Sequence, residues 1–378
     1  MKIVADENIP LIHKFFDDIG TVETYPGRAL SGQQLTDADV LLVRSVTQVD
    51  EALLSGSNVK FVGTCTIGYD HIDIDYLKSN NITFASAPGC NANSVVEYVL
   101  SCLSVLTETK NIKLNAITVG VVGCGNVGGR LVQKLKKLSI RTLCYDPLID
   151  QAGMSTFEDI MNCDIISLHT PLTSEGEYPT EHLFNASVLS NLSDKQVLIN
   201  TGRGAVIEGS ALKEKLKNEP NFTVILDVWE NEPGIDPELA RLVTIGTPHI
   251  AGYSLDGKAA GTEMIYKALC RNLGLPLRHK AAQFMPEPPL SKLAFSSQAD
   301  VNYSMHTAIR ACYDVRYDHY QLMNSLNVSE EQRRLAFDHL RKNYRARREF
   351  NRVKVSLKNA DSTMYSMFRD LGFNVKTL

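Results

Sequence analysis

The stretch ITVGVVGCGNVGGRLVQKLKKL, residues 117–138, decides how this chain is read. Ile117 to Val122 is an apolar run of the kind buried on both faces of a parallel sheet, and Val127 to Leu138 repeats apolar residues at helical spacing. Between them Gly123-Cys124-Gly125-Asn126-Val127-Gly128 matches G-x-G-x-x-G, a pattern that says little by itself. Here it follows a strand, opens a helix, and is followed by Asp146, eighteen residues beyond Gly128 at the end of the next strand. That context predicts a dinucleotide site. Gly123 permits the tight turn, Gly125 lets the backbone approach a pyrophosphate, and Gly128 lets the helix pack on the strand with its N-terminus facing the anion. Asp146 would accept hydrogen bonds from both adenine-ribose hydroxyls and repel a 2′-phosphate, which favours NAD over NADP; the alternative is that it caps the turn before Pro147. Cys124 is assigned no chemistry.

Outward from this motif, further apolar strands follow at 165–169, 197–200, 223–227 and 243–245, giving with 118–122 and 142–145 a six-strand α/β unit. Upstream, five more short strands (3–6, 22–25, 40–44, 61–64, 82–86) form a first parallel layer. The run VVEYVLSCLSVL, with Val95, Val96, Val99, Leu100, Leu103 and Leu106 on one helical face behind Asn93-Ser94 as a cap, reads as a helix joining the two. Near Ala281 the Pro-rich FMPEPPL marks another boundary. The expected division is 1–93, 94–251, 252–285 and 286–378.

A chain of 378 residues is too long for one core, and its 44% hydrophobic and 22% charged content excludes disordered and fibrous classes. A net charge of -4 gives no global reason to bind nucleic acid or an anionic membrane. The charge is uneven: residues 286–378 carry 15 Lys/Arg against 10 Asp/Glu. There, RKNYRARREF brings Arg341, Lys342, Arg345, Arg347 and Arg348 together, a patch for phosphate or nucleic acid or, more commonly, a solvated helix face. No 18-residue apolar run and no signal-peptide pattern is present, and the eight scattered cysteines show neither zinc nor disulfide spacing, so a cytoplasmic protein with reduced, mostly buried thiols is expected.

Three segments carry polar groups just beyond apolar strands: Asn200-Thr201-Gly202-Arg203-Gly204, Asp227 to Pro233, and Thr247 to Gly252. In open α/β sheets the ligand crevice lies outside the carboxyl ends of the strands, so Arg203, Glu232 and His249 can converge there. Hydride transfer from a hydroxyl-bearing carbon needs a group to take the hydroxyl proton, and His titrates in the right range. His249 is the candidate acid/base, Glu232 the carboxylate that favours its imidazolium, and Arg203 the guanidinium that holds a 2-hydroxy carboxylate. His71 and His169 are rival bases with more ordinary structural readings. Arg44, beside Ser45 at a strand end, is placed to hold a phosphate.

At VGCGNVGGRL, HTPLT, NTGRGAVI, LDVWENEP and TPHIAG the chain resembles the D-isomer-specific 2-hydroxyacid dehydrogenases, over roughly residues 3–280. The resemblance implies two doubly wound parallel-sheet units, an NAD-binding Rossmann unit inserted in a flavodoxin-like substrate unit, and supports the roles given to Arg203, Glu232 and His249. LLVRSVTQV, KFVGTCTIGYDHID, SAPGCNANSVVEYV and HIAGYSLDGKAAGTEMIY, with the C-terminal extension, are most similar to the branch that oxidises 4-phosphoerythronate to 3-hydroxy-2-oxo-4-phosphooxybutanoate in pyridoxal phosphate synthesis. That branch implies a C-terminal α+β dimerisation domain and a homodimer. It also implies that Ser45, Thr66 and Tyr253 contact substrate, and that Asn126, Val127, Asp146, Thr170, Asp227 and Gly252 line the NAD site. Substrate is expected between the two α/β units. The rivals are a sibling enzyme acting on 3-phosphoglycerate or hydroxypyruvate, and an NAD-sensing corepressor relative without turnover.

Overall fold

The computed structural model describes residues 1–149, 153–296, 298–358 and 362–377. They divide into two compact units, Met1–Asn91 with Tyr253–Glu287 and Ala92–Gly252 with Pro288–Leu378.

In the first unit β1 (Lys2–Asp6), β2 (Thr21–Tyr25), β3 (Val40–Val43), β4 (Phe61–Thr64) and β5 (Thr83–Ala85) form a parallel sheet in the order β2-β1-β3-β4-β5. Helices cover both faces. On one, Phe15, Phe16, Ile265, Tyr266 and Leu269 pack against Ile3, Ala5 and Leu42; on the other, Leu35, Leu53, Leu54 and Leu77 pack against Val4, Leu41 and Val43. This two-sided burial is why these strands lack an apolar/polar alternation, and each buried Leu or Ile contributes roughly 1.5–3 kcal/mol. The helix Leu255–Leu273 starts where Ser254 accepts the Gly257 N–H and stops at Gly274, whose φ of +67° ends it in the left-handed conformation. The strand order reverses between β1 and β3, and Arg44 and Ser45 follow β3 at that switch point.

In the second unit β6 (Thr118–Val122), β7 (Arg141–Tyr145), β8 (Ile165–Leu168), β9 (Val197–Asn200), β10 (Thr223–Leu226) and β11 (Ile245–Gly246) form a six-stranded parallel sheet, β11-β10-β9-β8-β6-β7. Its switch point, between β6 and β8, holds the Gly-rich turn. The helix expected behind Asn93-Ser94 begins at Ala92, so both lie inside its first turn, and it runs to Thr109. It is buried nearly all round because the C-terminal segment covers its other side: Ser101 Oγ donates to Tyr313 O and Ser104 Oγ bonds His306 Nδ1.

That C-terminal segment adds β12 (Lys292–Ser296), β13 (Lys354–Lys358) and β14 (Asn374–Thr377), a parallel sheet in sequence order, with helices Val301–Cys312, Val315–Asn324, Glu330–Lys342 and Ser362–Leu371. Leu322, Leu326 and Phe337 join the core that holds Trp229 and Leu239. The basic run is not one solvated helix face. The helix ends at Lys342, and Arg347 and Arg348 beyond it are buried; the Arg347 guanidinium donates to Ala251 O and Ser94 O in the nucleotide unit.

The thiols also depart from expectation. Cys124 and Cys144 are joined in a disulfide, their Cα atoms 6.5 Å apart. Cys144 pairs with Val121 across β6 and β7, and the turn carrying Cys124 bends over the end of β7, a proximity that a separation of 20 residues does not announce. Among the described residues, Cys65, Cys90, Cys102, Cys163, Cys270 and Cys312 take no part in a disulfide. Among the described residues no helix is long and apolar enough to cross a membrane.

Candidate active site

Loops leave the carboxyl ends of β6, β8, β9, β10 and β11, and small residues let their backbones touch. A Cβ on Gly123 would stand 2.9 Å from Thr170 N, one on Gly202 2.8 Å from Thr170 O, and one on Gly204 1.9 Å from Trp229 C. The indole of Trp229 then donates to Thr247 O at 2.8 Å. The Gly-rich turn, Thr170, Arg203, Glu232 and His249 therefore sit on successive loops in sheet order.

The Gly-rich turn is built as its residue types require. Gly123 has φ +85°, and a Cβ on Gly128 would fall 1.9 Å from Gly123 O, so the helix Gly128–Lys137 can close on the strand only without a side chain there. Gly125 differs, since a Cβ on it would meet nothing within 4 Å. Asn126 is exposed and Val127 half-buried beside it. Thr170 is buried, and its Oγ1 has no hydrogen-bond partner among the described residues, a debt of about 1–3 kcal/mol that a ligand would relieve. An open cradle at a helix N-terminus beside an unsatisfied hydroxyl fits a dinucleotide pyrophosphate. Asp146 Oδ2 accepts the Cys124 N–H at 2.8 Å and Oδ1 the Leu148 N–H at 3.1 Å, so the carboxylate also ties the turn to β7.

His249 Nδ1 lies 2.7 Å from Glu232 Oε2. Glu232 Oε1 accepts the Trp229 N–H at 2.9 Å, which fixes the carboxylate on its own turn. Partial burial works against the charge of Glu232, but His249, Arg341 and the Trp229 N–H outweigh it and hold the carboxyl below the usual range. His249 has φ +56°, a conformation that costs a non-glycine residue on the order of 1 kcal/mol. Asp227 holds it there: its carboxylate takes Thr247 Oγ1 at 2.6 Å, Ile250 N at 2.8 Å and Ala251 N at 2.9 Å, and its carbonyl takes His249 N at 2.7 Å. Asp227 is thus engaged by the loop that carries His249 and leads into buried Gly252. Arg203 is partly buried on the turn after β9, shaped by Asn200, whose Oδ1 accepts Gly202 N and whose Nδ2 donates to Arg203 O.

Neighbouring hydroxyl groups engage both rival histidines. His169 bonds Ser167 Oγ and Thr201 Oγ1 through its two ring nitrogens, and burial pulls it down to about 3, so it stays neutral. His71 Nε2 bonds Thr64 Oγ1 at 3.0 Å.

In the first unit Arg44 Nη2 donates to Tyr253 Oη at 3.4 Å, joining residues 209 apart in sequence. Lys258 Nζ lies 4.0 Å from the centre of the Tyr253 ring. Sequence reading missed Lys258; its signal is its position one turn into the helix that Tyr253 precedes. Ser45 is exposed, and Thr66 Oγ1 bonds Thr64 Oγ1 and Gly68 O. Arg44 and Lys258 thus place two cations beside one phenol, a chemistry suited to an anion.

The nucleotide fold, the Gly-rich turn and the carboxylate–histidine pair define an NAD-dependent dehydrogenase of the 2-hydroxyacid class, and residues 104–251 match the family model described as D-isomer specific 2-hydroxyacid dehydrogenase, NAD binding domain. Residues 284–372 match a domain of unknown function. The chain is 53% identical to the erythronate-4-phosphate dehydrogenase of Hahella chejuensis and 50% identical to that of Marinobacter nauticus, covering 100% of both chains in each comparison. It belongs to the erythronate-4-phosphate dehydrogenase family. In fold it is similar to the D-lactate dehydrogenase of Aquifex aeolicus solved with NAD and lactic acid, at a TM-score of 0.61 and 24% identity over 72% of this chain and 96% of that one. The NAD-bound 3-phosphoglycerate dehydrogenase of Entamoeba histolytica gives 0.62 and 24% over 72% and 95%.

Proposed function

We propose that the protein oxidises 4-phospho-D-erythronate to (R)-3-hydroxy-2-oxo-4-phosphooxybutanoate, a step of pyridoxal phosphate synthesis, in a cytoplasmic homodimer. The observation that carries the chemistry is the pairing of His249 Nδ1 with Glu232, which commits one ring nitrogen and leaves Nε2 for the substrate hydroxyl. NAD supplies the hydride acceptor when bound. His249 takes the C2 hydroxyl proton, Glu232 stabilises the imidazolium that results, and Arg203 holds the carboxylate through two parallel N–H bonds. Arg44 and Lys258 hold the phosphate, with Tyr253, Ser45 and Thr66 as hydroxyl partners. Gly123, Gly125, Asn126, Val127, Gly128, Asp146, Thr170 and Gly252 line the nucleotide site, and Asp227 serves it by setting the loop before Gly252.

Pieces 1–93 and 252–285 bind substrate, 94–251 binds NAD and 286–378 dimerises. Exposed Tyr303, Tyr320 and Leu335, at 64%, 62% and 66%, support pairing through the last piece. The Cys124–Cys144 bridge is the feature at odds with a reducing compartment, and thiol counts on freshly lysed cells test it.

The deciding experiment is NADH formation with NAD and, in parallel, 4-phosphoerythronate, 3-phosphoglycerate and glycerate. At least a tenfold preference in kcat/KM for 4-phosphoerythronate is expected. Preference for another acid reassigns the substrate, and tight NAD binding without turnover removes the enzyme reading.

A further inference from the structure

The loop that carries His249 is gripped at both ends by the segment whose family match has no known function. At its start, Gly246 N donates to His319 Nδ1 at 3.0 Å. At its end, Arg347 Nη1 donates to Ala251 O at 3.2 Å, and Nη2 donates to Ser94 O. Arg347 is 4% exposed, with its guanidinium 3.9 Å from the centre of the Tyr313 ring. Tyr313 is buried in turn and donates to Asp318 Oδ2 at 2.8 Å. Glu349, two residues on, accepts from Ser94 Oγ at 3.1 Å, and Phe350 N donates to Glu97 Oε1 at 2.8 Å. The arginine is thus held by Ser94 O and by the Tyr313 ring where it reaches the loop, while its buried Nε has no hydrogen-bond partner among the described residues.

From within the unit, Asp227 takes the N–H groups of Ile250 and Ala251. From the C-terminal side, Arg347 takes the carbonyl of Ala251 and His319 the N–H of Gly246. His249 sits between these anchors in a left-handed conformation that persists only where its surroundings over-determine it. A planar guanidinium on a carbonyl is a charge-assisted bond with fixed direction, suited to setting the orientation of a peptide group.

We propose that Arg347 and His319 are positioning residues for the acid/base His249, so that the C-terminal segment aligns the catalytic loop as part of the active-site architecture. Arg347 acts on the loop through Ala251 O. The proposal rests on His249 being the acid/base, and misplacing a reacting group by about 1 Å can cost about 10²-fold.

The test uses the full-length protein with Arg347→Ala, Arg347→Lys, His319→Ala and His319→Asn, each assayed on the best substrate of the parent, with His249→Gln as the control for the underlying reading. Arg347→Ala is expected to lower kcat about 10²-fold while KM and NAD affinity stay within about threefold, with partial recovery of kcat on adding guanidinium ion. Arg347→Lys falls between it and the parent. Because an Asn side-chain oxygen can accept where Nδ1 did, His319→Asn keeps most of the turnover and His319→Ala loses about tenfold. A kcat within threefold of the parent in Arg347→Ala overturns the proposal. So does a loss of NAD binding in step with kcat, or, if Arg347→Ala does not fold, a folded Arg347→Lys of parental kcat together with equal His319 variants. Near-normal turnover in His249→Gln instead removes the reading of the catalytic base and leaves the anchoring of the loop unaffected.

Discussion

Glu232 Oε2 and His249 Nδ1 stand 2.7 Å apart although they leave the sheet on different loops, and each is held by a neighbour that the other does not share. Trp229 N–H fixes the carboxylate, while Asp227 fixes the loop of the imidazole. The pair is thus assembled before any substrate arrives, as electrostatic preorganisation requires.

Removing the proton acceptor and removing its charge partner have different signatures. His249→Gln is expected to lower kcat by about 10²–10⁴-fold with NAD affinity unchanged. In Glu232→Gln the imidazolium formed during turnover loses a hydrogen bond to a charged partner, so kcat should fall by a smaller factor, about 10- to 100-fold, again with NAD affinity unchanged. Steady-state kcat and NAD affinity of the two variants check both; a Glu232→Gln protein of parental kcat would mean that the carboxylate acts only as a tether.

The anion cluster of the first unit predicts a substrate-selective loss. A hydrogen bond to a charged group contributes about 1.5–3 kcal/mol, so Arg44→Ala or Lys258→Ala should raise KM for the phosphorylated acid about 10- to 100-fold. NAD affinity should stay constant. Equal losses for phosphorylated and unphosphorylated acids would place the phosphate elsewhere.

His169 sets a pH dependence of stability. Its folded value of about 3 lies below the unfolded value near 6.5, so the unfolded chain binds more protons below pH 6.5 and stability falls there with falling pH. The contribution is fully present above about pH 7, and roughly 2 kcal/mol is lost between pH 7 and 5. Urea unfolding at several pH values checks this, since His169→Gln should flatten the slope in that window.

Much of this site is legible in the chain alone because its signals are local. The turn at 123–128, and the polar residues placed just past apolar strands at 200–203, 227–232 and 247–252, are properties of short segments, and open α/β sheets gather strand ends in one place. The strands of both large sheets follow the same logic. What escapes the sequence is side-chain pairing between distant segments. Nothing near Arg347 states that it will reach Ala251, so a basic run reads as solvated; only the fold of the C-terminal segment buries it. Lys258 escapes likewise, as its meaning depends on Tyr253 pairing with Arg44. Cys124 and Cys144 lie on neighbouring elements, a fact of register rather than spacing.

Two glycines of the nucleotide turn, Gly128 and Gly125, should fail in opposite ways. At Gly128 a methyl group would sit 1.9 Å from the carbonyl oxygen of Gly123, which is backbone and cannot swing aside. Gly128→Ala must therefore push the helix Gly128–Lys137 off the sheet, and overpacking of this kind costs about 1–3 kcal/mol or more. Its melting temperature should fall whether or not NAD is present. At Gly125 the added methyl meets no protein atom, so Gly125→Ala should melt like the parent when NAD is absent. The methyl instead occupies the space that lets the backbone approach the pyrophosphate, and NAD affinity should drop by tenfold or more. Thermal melts with and without NAD separate the two: the parent gains stability from the nucleotide, Gly125→Ala gains little, and Gly128→Ala starts lower. A Gly125→Ala protein that still gains the full NAD-dependent stabilisation would show that the pyrophosphate does not lie over this turn.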